Sequence, residues 1–312
     1  MTSSWRRRLL YTLAISDPFE AAVRKWSPLE DRAYRLLRRY VAGMSLDEAV
    51  GAIEDLGRKG LGVSLDLFGE GATDVEQVTR VVAGYRKAAE TLSTLDADVY
   101  LEIVPSHLGL DIGLDLCRRQ VAQVVEAMPP GARLEISAEE ARRTTDIMEL
   151  TTSLHRQGAP LVATLQANFK RSETDADRLV ESGIPIRLVK GAYPEPPDVA
   201  HPWGEPTDVA YVRLAHRIHD GGGEAILATH DSVIRESLRS ALGPLDIEML
   251  YGVRPEIAAE LVERDHSVRI YLPYGDGWFR YGMRRLAEAQ GPSLMKHTGN
   301  VLPVEPMGGT DE

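Results

Sequence analysis

Polar and aromatic side chains share one face of the last predicted helix, and their spacing suggests a site for a carboxylate. Tyr281, Arg284, Arg285 and Glu288 stand at i, i+3, i+4 and i+7, so they lie on one side of a helix. Guanidinium groups match the two oxygens of a carboxylate, so the face predicts a carboxylate clamp. A solvated face carrying an Arg–Glu pair is the alternative interpretation.

Further polar side chains stand where eight short strands of the sequence are predicted to end. They are Asp66, Glu70, Ser106, His107, Glu135, Gln166, Asn168, Arg187, Lys190, Tyr193, Thr229, His230, Asp231, Glu248, Tyr251, Arg254, Tyr271 and Tyr274. In a (β/α)8 barrel the active site is built from the carboxyl ends of the strands. The pattern therefore predicts that these side chains converge at one end of a barrel.

The residues at the strand ends are also compatible with two other kinds of enzyme chemistry. Lys190 closes the fifth predicted strand, where it could form a Schiff base as the strand lysines of barrel aldolases do. The side chains of His107, Glu135, His230 and Asp231 could bind the divalent metal of a hydrolase. For His107 alone, a solvated loop histidine is the simpler interpretation.

The elements that would position these residues alternate regularly from Gly62 onward. Short β-branched runs, typical of strands, are followed by stretches of helical period. The predicted strands are Gly62–Leu67, Val99–Val104, Arg133–Ile136, Leu161–Leu165, Ile184–Val189, Ala225–Ala228, Ile247–Leu250 and Val268–Leu272. The amphipathic stretches include Asp74–Ala89, Leu110–Met128, Glu139–His155, Asp208–Asp220 and Pro255–Asp265. Eight such units predict an α/β fold of the (β/α)8, TIM-like barrel type.

The chain is expected to divide into three regions. Residues 1–61, with helical stretches at Pro28–Met44 and Leu46–Arg58, should flank the barrel. Residues 62–290 should form the catalytic barrel, and residues 291–312 a loosely held tail. The segment Pro194–Pro206 has too many prolines for a helix or a central strand. It is predicted to be a loop that could close over the site.

Composition excludes several classes of function. Lys+Arg 36 against Asp+Glu 47 gives a net charge of −11, which argues against nucleic acid as a partner. One cysteine, Cys117, cannot form an internal disulfide or a thiolate metal cage, so a reducing cytoplasm is expected and no metal is predicted. No apolar run reaches the roughly 18 to 20 residues that span a bilayer. The basic Trp5–Tyr11 segment could still rest on a membrane surface.

Four long motifs lie in order at successive strand ends. They are Arg187-Leu-Val-Lys-Gly-Ala-Tyr193, Ala228-Thr-His-Asp231, Glu248-Met-Leu-Tyr-Gly-Val-Arg254 and the segment Tyr271–Glu288. These motifs closely resemble those of the proline dehydrogenase family. The resemblance runs from about Leu65 to Glu288, with weaker matches at Val63–Glu70, Pro105–Gly109 and Gln166-Ala167.

The resemblance implies an enzyme of proline catabolism that binds FAD noncovalently in a (β/α)8 barrel. Such an enzyme oxidises L-proline to Δ¹-pyrroline-5-carboxylate by hydride transfer to flavin N5, and usually passes the electrons to a membrane quinone or another acceptor. By position, the resemblance assigns cofactor binding to Gln166, Arg187, Lys190, Gly191, Tyr193, Thr229, His230 and Glu288. It assigns catalytic and substrate-binding roles to Glu135, Tyr271, Tyr281, Arg284 and Arg285.

Four positions depart from the family pattern. Val104 stands where a lysine is expected, Glu135 replaces an aspartate, Asn168 a tyrosine and Asp231 an asparagine. Because that lysine would add positive charge beside the substrate carboxylate, Val104 leaves a second hypothesis open. It is a diverged enzyme that oxidises another secondary amine, an imino acid or an N-substituted amino acid. The third hypothesis is a relative of the family that has a binding or regulatory role and no enzymatic activity. The retained arginine pair, Arg284 and Arg285, disfavours it.

Overall fold

The computed structural model describes residues 13, 16–69, 71–193 and 195–289, apart from the side chains of residues 17, 288 and 289. Several predictions therefore lie outside the described residues. They concern the Trp5–Tyr11 segment, Glu70, Pro194 and the tail 291–312.

Eight parallel strands pair in chain order, and the last pairs with the first to close a barrel. The strands are β1 (Gly62–Leu67), β2 (Val99–Ile103), β3 (Leu134–Ile136), β4 (Leu161–Gln166), β5 (Ile186–Val189), β6 (Ala225–Ala228), β7 (Asp246–Leu250) and β8 (Val268–Tyr274). Each predicted strand is present, with its ends within two residues of the predicted positions. The (β/α)8 prediction is confirmed.

Of the helices whose bounds the structure describes, three precede the barrel, α1 (Asp17–Lys25), α2 (Ser27–Leu37) and α3 (Leu46–Gly57). Eight helices follow the strands, α4 (Val75–Leu92), α5 (Leu114–Ala127), α6 (Ala141–Arg156), α7 (Ser172–Glu181), α8 (Glu205–Asp220), α9 (Ser232–Leu242), α10 (Pro255–Glu263) and α11 (Trp278–Ala289). Short polar side chains cap the first turns of several helices. At the start of α4, for example, the Asp74 carboxylate accepts a hydrogen bond from the Gln77 N–H at 2.8 Å.

Two predicted boundaries differ from the structure for local reasons. The helix predicted over Pro28–Met44 ends at Leu37 and continues only as a tighter turn over Arg38–Tyr40. The loop predicted over Pro194–Pro206 ends earlier, because α8 already begins at Glu205. Pro206 lies in the first turn of α8, where its missing N–H has no helical partner to lose.

The two faces of the strands differ sharply in polarity. The outward faces of β1, β2 and β3 carry buried side chains such as Leu65, Leu101 and Leu134, which pack against the surrounding helices. The inward faces carry buried polar side chains that include Glu102 and Arg187. Barrel interiors are usually filled by branched apolar side chains, so this polar interior indicates a functional site.

The N-terminal segment holds the last helix over the carboxyl ends of the strands. Leu37 and Tyr40 pack with Trp278 and Phe279 of α11 in one buried cluster. Backbone hydrogen bonds join the same segment to the end of β8, from the Ala42 N–H to the Pro273 carbonyl at 2.8 Å. The division at residues 61 and 290 stays a prediction. Among the described residues, no helix is both long and apolar enough to span a bilayer.

Gly252, in the loop after β7, sets how closely this segment approaches the barrel. Its φ is +69°, and a Cβ there would lie 1.7 Å from the Arg39 carbonyl oxygen. We expect Gly252→Ala to lower the free energy of unfolding by about 2 to 4 kcal/mol through left-handed strain and overlap, measured by urea denaturation. The control is Gly51→Ala in α3, where a Cβ has open space and stability should rise by about 0.5 to 1 kcal/mol. Equal effects at both glycines would contradict this account.

Candidate active site

The guanidinium of Arg187 lies inside the barrel among three glutamates. Its Nη1 lies 3.4 Å from the Glu102 carboxylate and its Nε 3.1 Å from that of Glu135, while Nη2 pairs with Glu248. These glutamates belong to β2, β3 and β7, so their side chains reach the arginine of β5 across the barrel interior. Every member is less than a tenth exposed. We call this group, together with Asp66, the acid layer.

The acid layer contains more carboxyl groups than Arg187 can neutralise. Asp66 of β1 accepts a hydrogen bond from the Tyr271 hydroxyl at 2.5 Å, and its backbone is in register with Glu102. Burial, opposed in part by Arg187, raises the pKa of Glu102 to about 8. Burial also raises the pKa of Asp66 to about 6, and burial and the negative charge of Glu248 raise that of Glu135. Near neutral pH the layer therefore holds protons as well as charge.

His230, at the end of β6, offers a hydrogen bond that no group in the described part of the chain accepts. Its Nε2 accepts from the Leu250 backbone N–H at 2.9 Å, so in the neutral ring Nδ1 carries the hydrogen. Burial, aided by nearby arginine charges, lowers the pKa of His230 to about 3. Nδ1 is buried without a hydrogen-bond partner, and the ring lines a cavity of about 90 Å³ with Arg187, Glu248 and Arg285.

Four of the residues assigned to the cofactor build the start of the loop after β5. The Gln166 amide donates to the Glu139 carbonyl at 2.8 Å and accepts from the Ala192 N–H at 3.2 Å. Gly191 has a φ of +114°, and a Cβ there would lie 2.0 Å from Asn168 Oδ1. Asn168 in turn donates to the Tyr193 carbonyl at 3.3 Å. Gln166, Lys190, Gly191 and Tyr193 are thus gathered at one place, and glycine is required there.

Lys190 is engaged by two carboxylates. Its Nζ lies 2.6 Å from Asp208 of α8 and 3.1 Å from Asp231. Asp231 also caps α9 by accepting from the Val233 and Ile234 N–H groups. The lysine therefore joins β5 to the two helices that follow it, an arrangement unlike the desolvated amine of a Schiff-base enzyme.

Aromatic rings cover the acid layer beneath α11. The ring centroids of Tyr271 and Tyr281 are 6.1 Å apart, and Phe68 lies 5.2 Å from Tyr281. The Arg285 guanidinium lies 5.3 Å from the Tyr281 ring centre, and that of Arg187 lies 5.4 Å from Tyr271. The structure thus brings three of the predicted substrate residues together, Tyr271, Tyr281 and Arg285.

The other residues of the predicted clamp are only partly described. Arg284 lies next to Arg285 in α11 and is half-buried. Glu288 belongs to the same helix, but its side chain lies outside the described residues. The clamp therefore stays a prediction for Arg284 and Glu288.

The histidines do not form a metal centre with their neighbours. His107 packs its edge against Tyr85, with ring centres 6.0 Å apart, and burial lowers its pKa to about 4. His230 lies across the barrel at the end of β6. Within the described part of the chain, no group of three or more histidine, cysteine, aspartate or glutamate side chains could hold a metal.

The sequence interpretation missed Glu102, which lies at the centre of the acid layer. It singled out Val104, which directly follows the end of β2 at Ile103, and overlooked Glu102, which is the residue that reaches Arg187. A detectable signal was present, since Glu102 is a charged residue inside an otherwise apolar strand, VYLEI. Such a residue is rarely buried without a partner.

Comparisons with known sequences agree with the motifs. The profile of the proline dehydrogenase family matches residues 49–295. The proline dehydrogenase of Deinococcus radiodurans is 32% identical over 298 residues, which cover 90% of this chain and 93% of that protein. Proline dehydrogenase 1 of Bacillus subtilis subsp. natto is 29% identical over 259 residues, covering 80% and 86% respectively.

Solved structures show the same fold. Proline utilization A (PutA) from Bdellovibrio bacteriovorus, inactivated by N-propargylglycine, superposes with a TM-score of 0.76 at 17% identity. The match covers 98% of this chain and 41% of that one. A second PutA structure, with proline bound in remote sites, has a TM-score of 0.70 at 19% identity and is covered over 32% of its length. With this fold and the family match over most of its length, the chain belongs to the proline dehydrogenase family.

Proposed function

We propose that this protein oxidises L-proline to Δ¹-pyrroline-5-carboxylate with FAD as its cofactor. The observation that carries the proposal is the convergence of Tyr271, Tyr281 and Arg285 above the acid layer. A cation and a set of carboxyl groups at opposite sides of one site suit a zwitterion. The family and its similarly named relatives support the choice of proline.

The residues at the ends of β4, β5 and β6 fit a flavin. The unpaired Nδ1–H of His230 is a buried donor that needs an acceptor, and the Thr229 hydroxyl lies beside it in the lining of the same cavity. The tight loop at Gly191 lets a ligand approach the backbone closely. When bound, FAD supplies the hydride acceptor.

Two of the cationic residues assigned to FAD already have protein partners. Arg187 is held by the acid layer, and Lys190 by Asp208 and Asp231. We infer that Lys190 would hold the phosphates of FAD in place of Asp208, since both partners are anionic oxygens. Gln166, Tyr193 and Glu288 keep their assignment to the cofactor as part of this proposal.

The protein's own tasks are to orient the substrate and to exclude water. We infer that Arg284 and Arg285 bind the carboxylate of proline, which fixes the ring beneath α11. The rings of Tyr271, Tyr281 and Phe68 shield the site from solvent. The loop after β5, from Gly191 to Gly204, is the proposed lid.

The acid layer is placed to receive the proton of the substrate amine. A protonated secondary amine has no lone pair, so it must lose a proton before hydride leaves the neighbouring carbon. Glu135 and Glu102 lie in the layer below Tyr271. Burial raises the pKa of both carboxyl groups, that of Glu102 to about 8. We assign this proton transfer to the layer as a unit, because its members titrate together.

A diverged substrate, such as another secondary amine, is not favoured. The family and its named relatives point to proline. On β2, Glu102 makes the contact to Arg187, and the effect of Val104 on the substrate stays a prediction.

A quinone or another acceptor is proposed to take the electrons at a membrane surface. On the N-terminal helices, Trp26 is 71% exposed, Leu36 55% and Leu29 40%, and Arg32 and Arg35 are exposed beside them. Exposed apolar side chains among arginines are typical of helices that bind a membrane interface. This surface supports the proposed peripheral contact, with the rest of the protein in the cytoplasm.

Mixing the purified protein with L-proline in the absence of oxygen tests the proposed function. We expect the protein to be yellow, to release FAD and not FMN on denaturation, and to lose its flavin colour on addition of L-proline. The absorbance change checks both cofactor and substrate in one experiment. A colourless protein that does not take up FAD would overturn the proposal, as would a flavin that L-proline leaves oxidised.

Replacing Arg285 or Arg284 with methionine tests the carboxylate clamp. We expect kcat/KM for L-proline to fall by about 10-fold to 150-fold, because a hydrogen bond to a charged group contributes about 1.5 to 3 kcal/mol. Bound flavin should be retained. Arg280→Met is the control on the same helix, since Arg280 is exposed and pairs with Glu20 at 2.7 Å. Steady-state kinetics that do not distinguish the three variants would contradict the clamp.

The pH dependence of kcat/KM tests the acid layer. We expect kcat/KM for L-proline to rise with pH as the layer loses protons, with an apparent pKa near 8, the value of Glu102. Glu102→Gln should move this limb to lower pH, because the remaining carboxyls then have one negative neighbour fewer. The control is Glu76→Gln at an exposed position of α4. If the limb stays in place in Glu102→Gln, the layer does not take the proton.

A further inference from the structure

A second group of cations lies on the outside of the barrel, between α9 and the loop that enters β8. Arg235 and Arg239 stand one turn apart on α9, and Arg264 and His266 lie in the loop between α10 and β8. All three arginines approach one carboxylate, that of Glu236, at 3.3 to 3.6 Å. We call these three arginines, His266 and Glu236 the arginine cluster.

Arg235 is buried, and part of its guanidinium has nothing to bind. Its side chain is 5% exposed, and its Nε lies 3.5 Å from the Glu236 carboxylate. Its Nη1, the Nε of Arg239 and the Nε2 of His266 are buried without a hydrogen-bond partner among the described residues. Burying a charged group without hydrogen bonds is costly, so these nitrogens indicate a missing acceptor.

The net positive charge of the arginine cluster indicates that its missing ligand is an anion. Among the described residues, Glu236 is the one acidic side chain that forms ion pairs with these three arginines. Three guanidiniums against one carboxylate leave two positive charges in excess. Glu236 is itself 41% exposed, so it does not fill the buried side of the cluster where Arg235 lies.

The geometry of the donors favours an oxyanion with several oxygen atoms. Guanidinium groups bind phosphate through paired N–H groups, and the unpartnered atoms belong to three different side chains that approach from α9 and from the loop before β8. A doubly charged phosphate group would match both the excess charge and the number of donors. We infer that the arginine cluster is a binding site for a phosphate group, either inorganic phosphate or the phosphate of a nucleotide.

This site is separate from the one that oxidises the substrate, and the inference does not rest on the proposed function. Arg235 and Arg239 project from α9, whose first residue follows Asp231 at the active-site end, while His266 precedes β8 at the opposite end of the barrel. Nothing in the oxidation of an amino acid requires an anion there. The bound group would join α9 to the α10–β8 loop.

Titration of the holoenzyme with inorganic phosphate tests the site. At constant ionic strength, adjusted with chloride, we expect saturable binding by calorimetry and a matching rise in melting temperature. Arg264→Met is the main variant, because Arg264 is 60% exposed and its replacement should leave the fold intact. Its phosphate affinity should fall at least 10-fold, whereas Arg86→Met, at an exposed arginine of α4, should bind phosphate as the unmodified protein does.

A second variant separates binding from folding. Arg235→Met should raise the melting temperature without phosphate, because it removes a buried charge that has only the half-exposed Glu236 as its ion-pair partner among the described residues, and should abolish the rise that phosphate causes. Adenosine monophosphate in place of phosphate identifies the source of the group: tighter binding assigns a nucleotide and equal binding the free ion, and both support the site. Absence of saturable phosphate binding, or equal affinities in Arg264→Met and Arg86→Met, would overturn it.

Discussion

The burial of Arg187 among carboxyl groups is the interaction on which the active site depends. One guanidinium from β5 reaches carboxylates of β2, β3 and β7, so it links four strands across the barrel interior. Without it, those glutamates would face each other in a medium of low polarity, where like charges strongly destabilise the fold. Without the glutamates, the arginine itself would be a buried unpaired charge. Removing either Arg187 or the glutamates alone would therefore strongly destabilise the fold.

A polar interior of this kind constrains the rest of the fold. Because the barrel centre contributes little apolar burial, stability depends on the interface between the strands and the surrounding helices, where Leu65, Leu101 and Leu134 are fully buried. The mouth of the barrel also requires a cover, since water at the acid layer would weaken every ion pair within it. The N-terminal helices meet that requirement by packing Leu37 and Tyr40 against α11.

The sequence predicted the architecture well because strand and helix periodicities are local signals. Gly62–Leu67 and Ala225–Ala228 were predicted to the residue, and the positions of Arg187 on β5 and Tyr271 on β8 follow from the same pattern. Partners across the barrel could not be predicted in this way. The approach of Glu102 to Arg187, or of Asp208 to Lys190, depends on barrel closure and on strand register, which no single segment encodes. The contribution of Val104 to the site stays a prediction for the same reason.

The site is polarised along one direction, and this polarity selects the kind of molecule that can enter. Arg285 and its aromatic neighbours lie at the roof under α11, and the carboxyl groups of the acid layer lie at the floor. A neutral amine would lack a partner at the roof, and a simple carboxylic acid would place no positive charge toward the floor. An amino acid carries both charges, so its carboxylate matches the arginine at the roof while its amine matches the carboxyl groups of the floor.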